Sequence, residues 1–191
     1  HQEITRTEHT ECRDEKLANG RTYYYQVSAV DLAGNESDRA AGTGIPVAPG
    51  PTPVGGIIEK DTTWYAGASP YILDRQVLVK DKATLTIEAG TEIRSRGAAL
   101  IVEGGFVARG DGEQMISWDT AVPGQAWEGI VIRNVKEKEI SLSYNRVRNS
   151  LTGLALQSAS PLVEACEFSA NVTAVRIGGS FAKPRLVRNN L

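Results

Sequence analysis

The sequence predicts an all-β protein: part of a β-sandwich, a Pro/Gly linker, then a single-stranded parallel β-helix. Three observations carry that expectation. Apolar pairs recur through the last third of the chain, where Ile130 and Ile132 are followed by Leu154 and Leu156 after 24 positions, and by Val175 and Ile177 after 21 more. Further series run beside this one. Ile116, Ile140 and Pro161 are spaced by 24 and 21, Val147, Phe168 and Leu191 by 21 and 23, and Pro161 and Pro184 by 23. A drifting period of this kind marks stacked repeats, in which each unit buries its face on its neighbours. The second observation is that apolar runs after Ile57 are only three or four residues long, with no amphipathic helical stretch of ten or more residues among them. They are Val77–Leu78–Val79, Leu85–Thr86–Ile87, Leu100–Ile101–Val102, Met115–Ile116–Ser117–Trp118 and Ile130–Val131–Ile132. Short strands on such a rung fit a parallel β-helix rather than a leucine-rich horseshoe, whose Leu-x-x-Leu-x-Leu-x-x-Asn signature is missing. The third is a strand pattern near the start, where Tyr23, Tyr25, Val27 and Ala29 fall on one face at period two.

Composition bounds the function classes. At 191 residues the chain is long enough for one large domain or two smaller ones. A net charge of −2 excludes electrostatic attraction to nucleic acid or to an anionic membrane as a main theme. No apolar run approaches the roughly 20 residues of a membrane helix, so membrane insertion is not expected. The chain opens on His1-Gln2-Glu3 without an initiating Met or a signal peptide, which points to a fragment or a processed chain. Cys12 and Cys166 lie far apart and are expected as free, partly buried thiols. With no Cys-x-x-Cys and no His cluster, haem, zinc and redox-pair readings fail at the ligand count, and no cofactor or metal is expected.

Taken in order, residues 1–45 read as strands bounded by turn chemistry at Asn19-Gly20 and Ala33-Gly34-Asn35, where Gly and Asn accept positive φ. Leu17-x-x-Gly20-x-x-Tyr23-x-Tyr25-x-Val27-x-Ala29-Val30-Asp31-x-x-Gly34-Asn35 resembles the C-terminal part of a fibronectin type III module. The resemblance implies a tyrosine corner at Tyr23, its ring buried and its hydroxyl tied to backbone upstream. It also implies a sandwich short of strands, whose exposed edges invite completion by other copies of the chain or by neighbouring segments. Residues 46–56 form the linker: Gly44 to Gly56 carries four prolines and four glycines, and X-Pro steps favour extended backbone without ladder donors.

Residues 57–191 form the β-helix, expected to be open at its C-terminal end. Thr62-Thr63-Trp64, Ser69-Pro70-Tyr71-Ile72-Leu73, Ala83-Thr84-Leu85-Thr86-Ile87-Glu88-Ala89-Gly90-Thr91 and Trp127-x-Gly129-Ile130 resemble the start of a right-handed parallel β-helix of the pectate-lyase-like superfamily. The likeness is to the variety that follows other modules in large secreted bacterial proteins, and it implies that Trp64 belongs to an entry cap. It implies little about activity, because such folds host many functions.

No catalytic residue emerges from the pattern. Acid–base work on a β-helix needs carboxylates brought together on successive rungs. The spacing instead aligns Glu164 with Ser143 and Val187, and Glu167 with Arg146 and Asn190. Glu137 and Glu139 sit with Lys136 and Lys138 in a charged loop, and Asp111-Gly112-Glu113 is a turn with no calcium-loop pattern. His1 and His9 are the only histidines, so no Ser-His-Asp set is available. Arg133, Arg146, Arg148, Arg176 and Arg188 are candidates for a basic strip toward an acidic polysaccharide, with ordinary solvated surface as the plainer reading. Trp118, Trp127 and Tyr144 are candidates for stacking on sugars, with turn packing the expectation for Trp127. Asn145, Asn149, Asn171 and Asn189 are expected as structural amides at rung corners. Asn35-Glu36-Ser37 and Asn171-Val172-Thr173 fit the glycosylation acceptor pattern.

These readings combine into a non-enzymatic structural or adhesive component of a bacterial cell surface or extracellular matrix, able to self-assemble through sheet edges. The alternatives are a fragment of a polysaccharide lyase or hydrolase whose active rungs lie beyond Leu191, and a non-catalytic carbohydrate-binding module.

Overall fold

A computed structural model describes residues 7–135, 139–180 and 182–191. By backbone contacts the chain divides into two compact units, His1–Ala48 and Pro49–Leu191.

In the first unit, β1 (Tyr23–Val27) pairs antiparallel with β2 (Ala40–Gly44), and an isolated bridge joins Val30 to Glu36. The turn between them is closed by Asp31, whose carboxylate accepts from the backbone N–H groups of Ala33 and Asn35 and from the Asn35 amide. Those bonds hold its pKa below the usual carboxylate value, the Asn35 side-chain bond most of all. The Tyr23 hydroxyl accepts from the Ala18 N–H at 3.0 Å, so the upstream tie expected of that residue is present. The single buried face is not. Tyr23 and Tyr25 are half-buried, whereas Val27 and Ala29 are exposed, because a two-stranded sheet has no second layer to cover them. A full sandwich is not present among the described residues of this unit.

The second unit is a parallel β-solenoid of about six coils. Its strands are β3 (Thr52–Ile58), β4 (Thr62–Trp64), β5 (Tyr71–Val79), β6 (Thr84–Ile87), β7 (Glu92–Ser95), β8 (Ala99–Val102) and β9 (Gly105–Arg109). They continue as β10 (Ile116–Thr120), β11 (Trp127–Arg133), β12 (Ile140–Ser143), β13 (Asn145–Arg148), β14 (Ser150–Gln157), β15 (Leu162–Glu164), β16 (Glu167–Ser169), β17 (Thr173–Gly178) and β18 (Arg185–Val187). Each coil contributes to three faces. One face stacks the first half of β5 with β7, β10, β13 and β16; the second stacks the other half of β5 with β8, β11, β14 and β17. The third stacks β4, β6, β9, β12, β15 and β18. β3 and β5 serve both of the first two faces, β3 with a register break between Val54 and Gly56 and β5 through its exposed Asp74–Gln76 stretch.

Period-two alternation sends one set of side chains from each face into the lumen. On the first face Tyr71, Ile93, Trp118, Val147 and Phe168 stand in register and are all buried. The second carries Val79, Val102, Ile132 and Leu156, and the third Trp64, Ile87, Ala108, Leu142 and Val163, again buried. Each fully buried large apolar side chain contributes about 1.5–3 kcal/mol. Aromatic rings fill the middle of the lumen, with Trp118 stacked on Trp127 at 6.4 Å and Phe106 set edgewise to Trp118 at 6.2 Å.

The late register follows the sequence spacing: Ile130–Leu154–Val175, Ile132–Leu156–Ile177 and Val147–Phe168 are cross-coil partners. Four other expectations are corrected. Ile116 pairs with Asn145 on the first face while Ile140 pairs with Phe106 on the third, so their 24-residue spacing was a coincidence of loop lengths. The in-register column Thr52, Tyr71, Ile93, Trp118, Val147 and Phe168 gives coils of 19, 22, 25, 29 and 21 residues, a wider range than the late period implies. Residues 52–56 of the expected linker are strand, because Pro53 lies in the first coil, where no preceding strand asks for its N–H. β5, β11 and β14 have nine, seven and eight residues, since they run past the three or four that face the lumen. Trp64 sits in β4 of the first coil, stacked on Tyr71 at 4.9 Å.

Candidate functional site

The outward positions of the first face bring together a column of polar side chains. Glu92, Ser117, Arg146, Glu167 and Asn190 form one column, and Arg94 and Asp119 begin the next. Arg146 Nε donates to Glu167 at 2.6 Å, Arg94 Nε to Glu92 at 2.5 Å, and Arg148 lies 3.6 Å from Asp119. Asp119 also accepts from the Asn149 amide at 2.7 Å. Glu167 holds the pKa of Arg146 above its ordinary value, through the hydrogen bond first and its charge second. Every carboxylate in this set therefore faces a cation or an amide. The register expected for Glu164, with Ser143 and Val187, and for Glu167, with Arg146 and Asn190, is the observed one.

The five arginines do not form one strip. Arg133 pairs with Glu103 at 2.8 Å at the edge of the second face, and Arg188 with Glu164 at a corner of the third. Arg146 and Arg148 belong to the first face; Arg176 is exposed on the second, without an ion-pair partner among the described residues. Sequence reading overlooked Glu103 and Asp119, which complete these pairs, because their partners lie one coil and about 30 residues away.

Comparison with protein-family models, curated proteins and solved structures gives no match.

The aromatic candidates are largely accounted for by packing. Trp118 is fully buried and donates from Nε1 to Asn145 at 2.9 Å; Trp127 is 1% exposed and donates to the Arg148 carbonyl at 2.8 Å. Neither ring offers a face to a sugar. Tyr144 is half-buried in a corner at φ 51°.

The amides form a ladder at that corner. Tyr144, Ala165 and Arg188 occupy matching left-handed positions, and Asn145, Cys166 and Asn189 follow them. Asn145 donates to the carbonyls of Ala108 and Ser143, and Asn189 donates to Val163. Cys166 takes the intervening rung, its thiol against the Leu142 and Glu164 carbonyls. Burial pushes that thiol up to about 11. Cys12 is exposed rather than partly buried, and both cysteines are free. At the next corner Asn171 accepts from Ser150 and donates to the Val147 carbonyl, which removes it as a glycan acceptor in the folded chain. Asn35 is exposed, with its amide bonded to Asp31.

Asp111 caps a turn by accepting from the N–H groups of Glu113 and Gln114. Glu139 pairs with Arg109, whereas Lys136, Glu137, Lys138 and His1 lie outside the described residues. His9 is exposed in the first unit. No group of three metal-ligating side chains occurs among the described residues. A cleft of about 500 Å3 opens beside the first coils, lined by Val54, Gly55, Trp64, Asp74 and Arg75 among others. Arg75 lies across Gly55, where a Cβ would meet its Cγ at 2.3 Å. The Gly55-Gly56 pair was legible only as linker chemistry, and nothing in the sequence paired it with Arg75.

Proposed function

We propose that this chain is a non-enzymatic structural or adhesive component of a bacterial cell surface or extracellular matrix, with the solenoid as a stiff surface and the first unit as its joining module. One observation supports this reading above others. Outward ion pairs tie coil to coil: Asp74 with Arg96, Glu103 with Arg133, Arg109 with Glu139, Asp119 with Arg148, Arg146 with Glu167 and Glu164 with Arg188. Exposed pairs of this kind each contribute only about 0–1 kcal/mol, yet as cross-coil links they favour one register over a slipped one. Within the same proposal the solenoid is right-handed and pectate-lyase-like, in keeping with the hand of nearly all parallel crossovers. The first unit is fibronectin type III-like, supported by the Tyr23 tie and the β1–β2 pairing.

The test combines assembly and turnover. The 191-residue chain is expected to elute as oligomers whose size grows with concentration, and to release no unsaturated, ultraviolet-absorbing ends from acidic polysaccharides. A clean monomer at every concentration removes self-assembly. Product release abolished by substitutions on the solenoid replaces the structural reading with a lyase.

A further inference from the structure

Met115 is the sole methionine of the chain and lies half-buried just before β10 on the first face. Its Sδ stands 3.4 Å from Arg146 Nη2, the neighbouring coil's guanidinium. The same guanidinium donates to Glu167 through Nε, at 2.6 Å. Two different N–H directions of one planar fork therefore serve two acceptors, a carboxylate and a thioether. A thioether is a weak acceptor, so the Nη2 N–H is poorly used as the structure stands.

We propose that Met115 is an oxidation site whose sulfoxide is received by Arg146, so that the modification is accommodated by the fold rather than disrupting it. With hydrogen peroxide as oxidant, the sulfur lone pair attacks one peroxide oxygen, the O–O bond breaks and an S–O bond forms. Sulfur loses two electrons, and the other oxygen leaves as water after proton transfer. The product replaces a weak acceptor by a strong, polar one. At most methionines packed against a core that change is destabilising, because the new dipole meets apolar atoms. At this position the oxygen emerges on the side of a permanent cation and takes a charge-assisted hydrogen bond, while the Nε bond to Glu167 remains. Arg146 is thus a positioning residue for the oxidised side chain. It also keeps the first face in register through Glu167, a role independent of the oxidation state.

The experiment treats the folded 191-residue chain with hydrogen peroxide, maps the added oxygen by peptide mass, and compares thermal midpoints before and after. With the exposed Cys12 alkylated beforehand, the added oxygen is expected in the Met115 peptide and absent from that peptide in a Met115→Leu control. Oxidised wild type is expected to melt within about 1 °C of the reduced form, whereas oxidised Arg146→Gln melts about 3 °C or more below its own reduced form. Should Arg146→Gln fail to fold, Met115→Gln places an amide oxygen where the sulfoxide would lie, and its midpoint is expected to match wild type. The proposal is overturned if Met115 resists oxidation in the folded chain, or if oxidation lowers the midpoint equally with and without Arg146. In the fallback, a Met115→Gln midpoint more than about 3 °C below wild type overturns it as well.

Discussion

Cys166 shows how a single position can be read from its neighbours along the ladder. Asparagines stand before and after it, and all three side chains address carbonyls of the preceding coil. The thiol is a weak donor in a place shaped for an amide. Burial moves its ionisation from 9.0 to about 11, so the folded chain holds that proton across a window where the unfolded chain releases it. Stability from this group is therefore complete below pH 9 and declines as pH rises toward 11, by up to about 3 kcal/mol. At pH 8 an alkylating reagent is expected to modify Cys12 and leave Cys166 intact until denaturant is added, as counted by intact mass. Two adducts on the native chain would contradict the buried placement of Cys166.

The elements hold through their corners as much as through their strands. Gly129 has φ 110°, and a Cβ there would lie 1.7 Å from the Thr152 carbonyl oxygen, so the backbone of β11 approaches β14 more closely than any side chain permits. Asn145 links the other corner, tying the Trp118 indole to the Ala108 and Ser143 carbonyls inside the lumen. Asn145→Leu keeps similar volume but strands a buried indole N–H and two carbonyls. A loss of about 2–4 kcal/mol is expected, read as a shift of the urea midpoint at unchanged m-value. A loss below about 0.5 kcal/mol would mean that water reaches the corner and replaces the amide.

Across the whole molecule the two units differ in what can hold them. The first has a two-stranded sheet with Tyr24 and Val27 largely exposed, and an isolated hairpin of that size is marginal in water. The second buries columns of aliphatic and aromatic side chains through successive coils. Native-state hydrogen exchange on the 191-residue chain is expected to leave the amides of Ile130–Ile132 and Leu154–Leu156 protected longest. Those of Tyr23–Val27 should exchange orders of magnitude sooner. Equal protection in both units would mean that β1 and β2 are covered in solution, as strand completion by a second copy requires.

The late coils were legible in the sequence because their corners are of nearly constant length. Equal spacing then translates directly into shared register, as it does for Ile130, Leu154 and Val175 and for Glu167 between Arg146 and Asn190. Short strands without helical stretches likewise sufficed for an all-β solenoid. The earlier coils were not legible. Corner loops such as that around Val122–Gln125 lengthen a coil to 29 residues between Trp118 and Val147 without disturbing the ladder. A spacing rule cannot see that, and so Ile116 was matched to Ile140. The partners of Arg133 and Arg148 escaped in the same way, because Glu103 and Asp119 come opposite them across a lengthened coil rather than at the late spacing. Spacing and short apolar runs were enough for the coiling of the chain and for the register of its late coils. Packing between coils alone settled that Trp118 and Trp127 stack in the lumen, that Met115 lies against Arg146, and that Cys166 completes a ladder of amides. Those outcomes depend on hydrogen bonds and packing between coils, and where corner loops differ in length no local pattern encodes which residue of the next coil will arrive opposite.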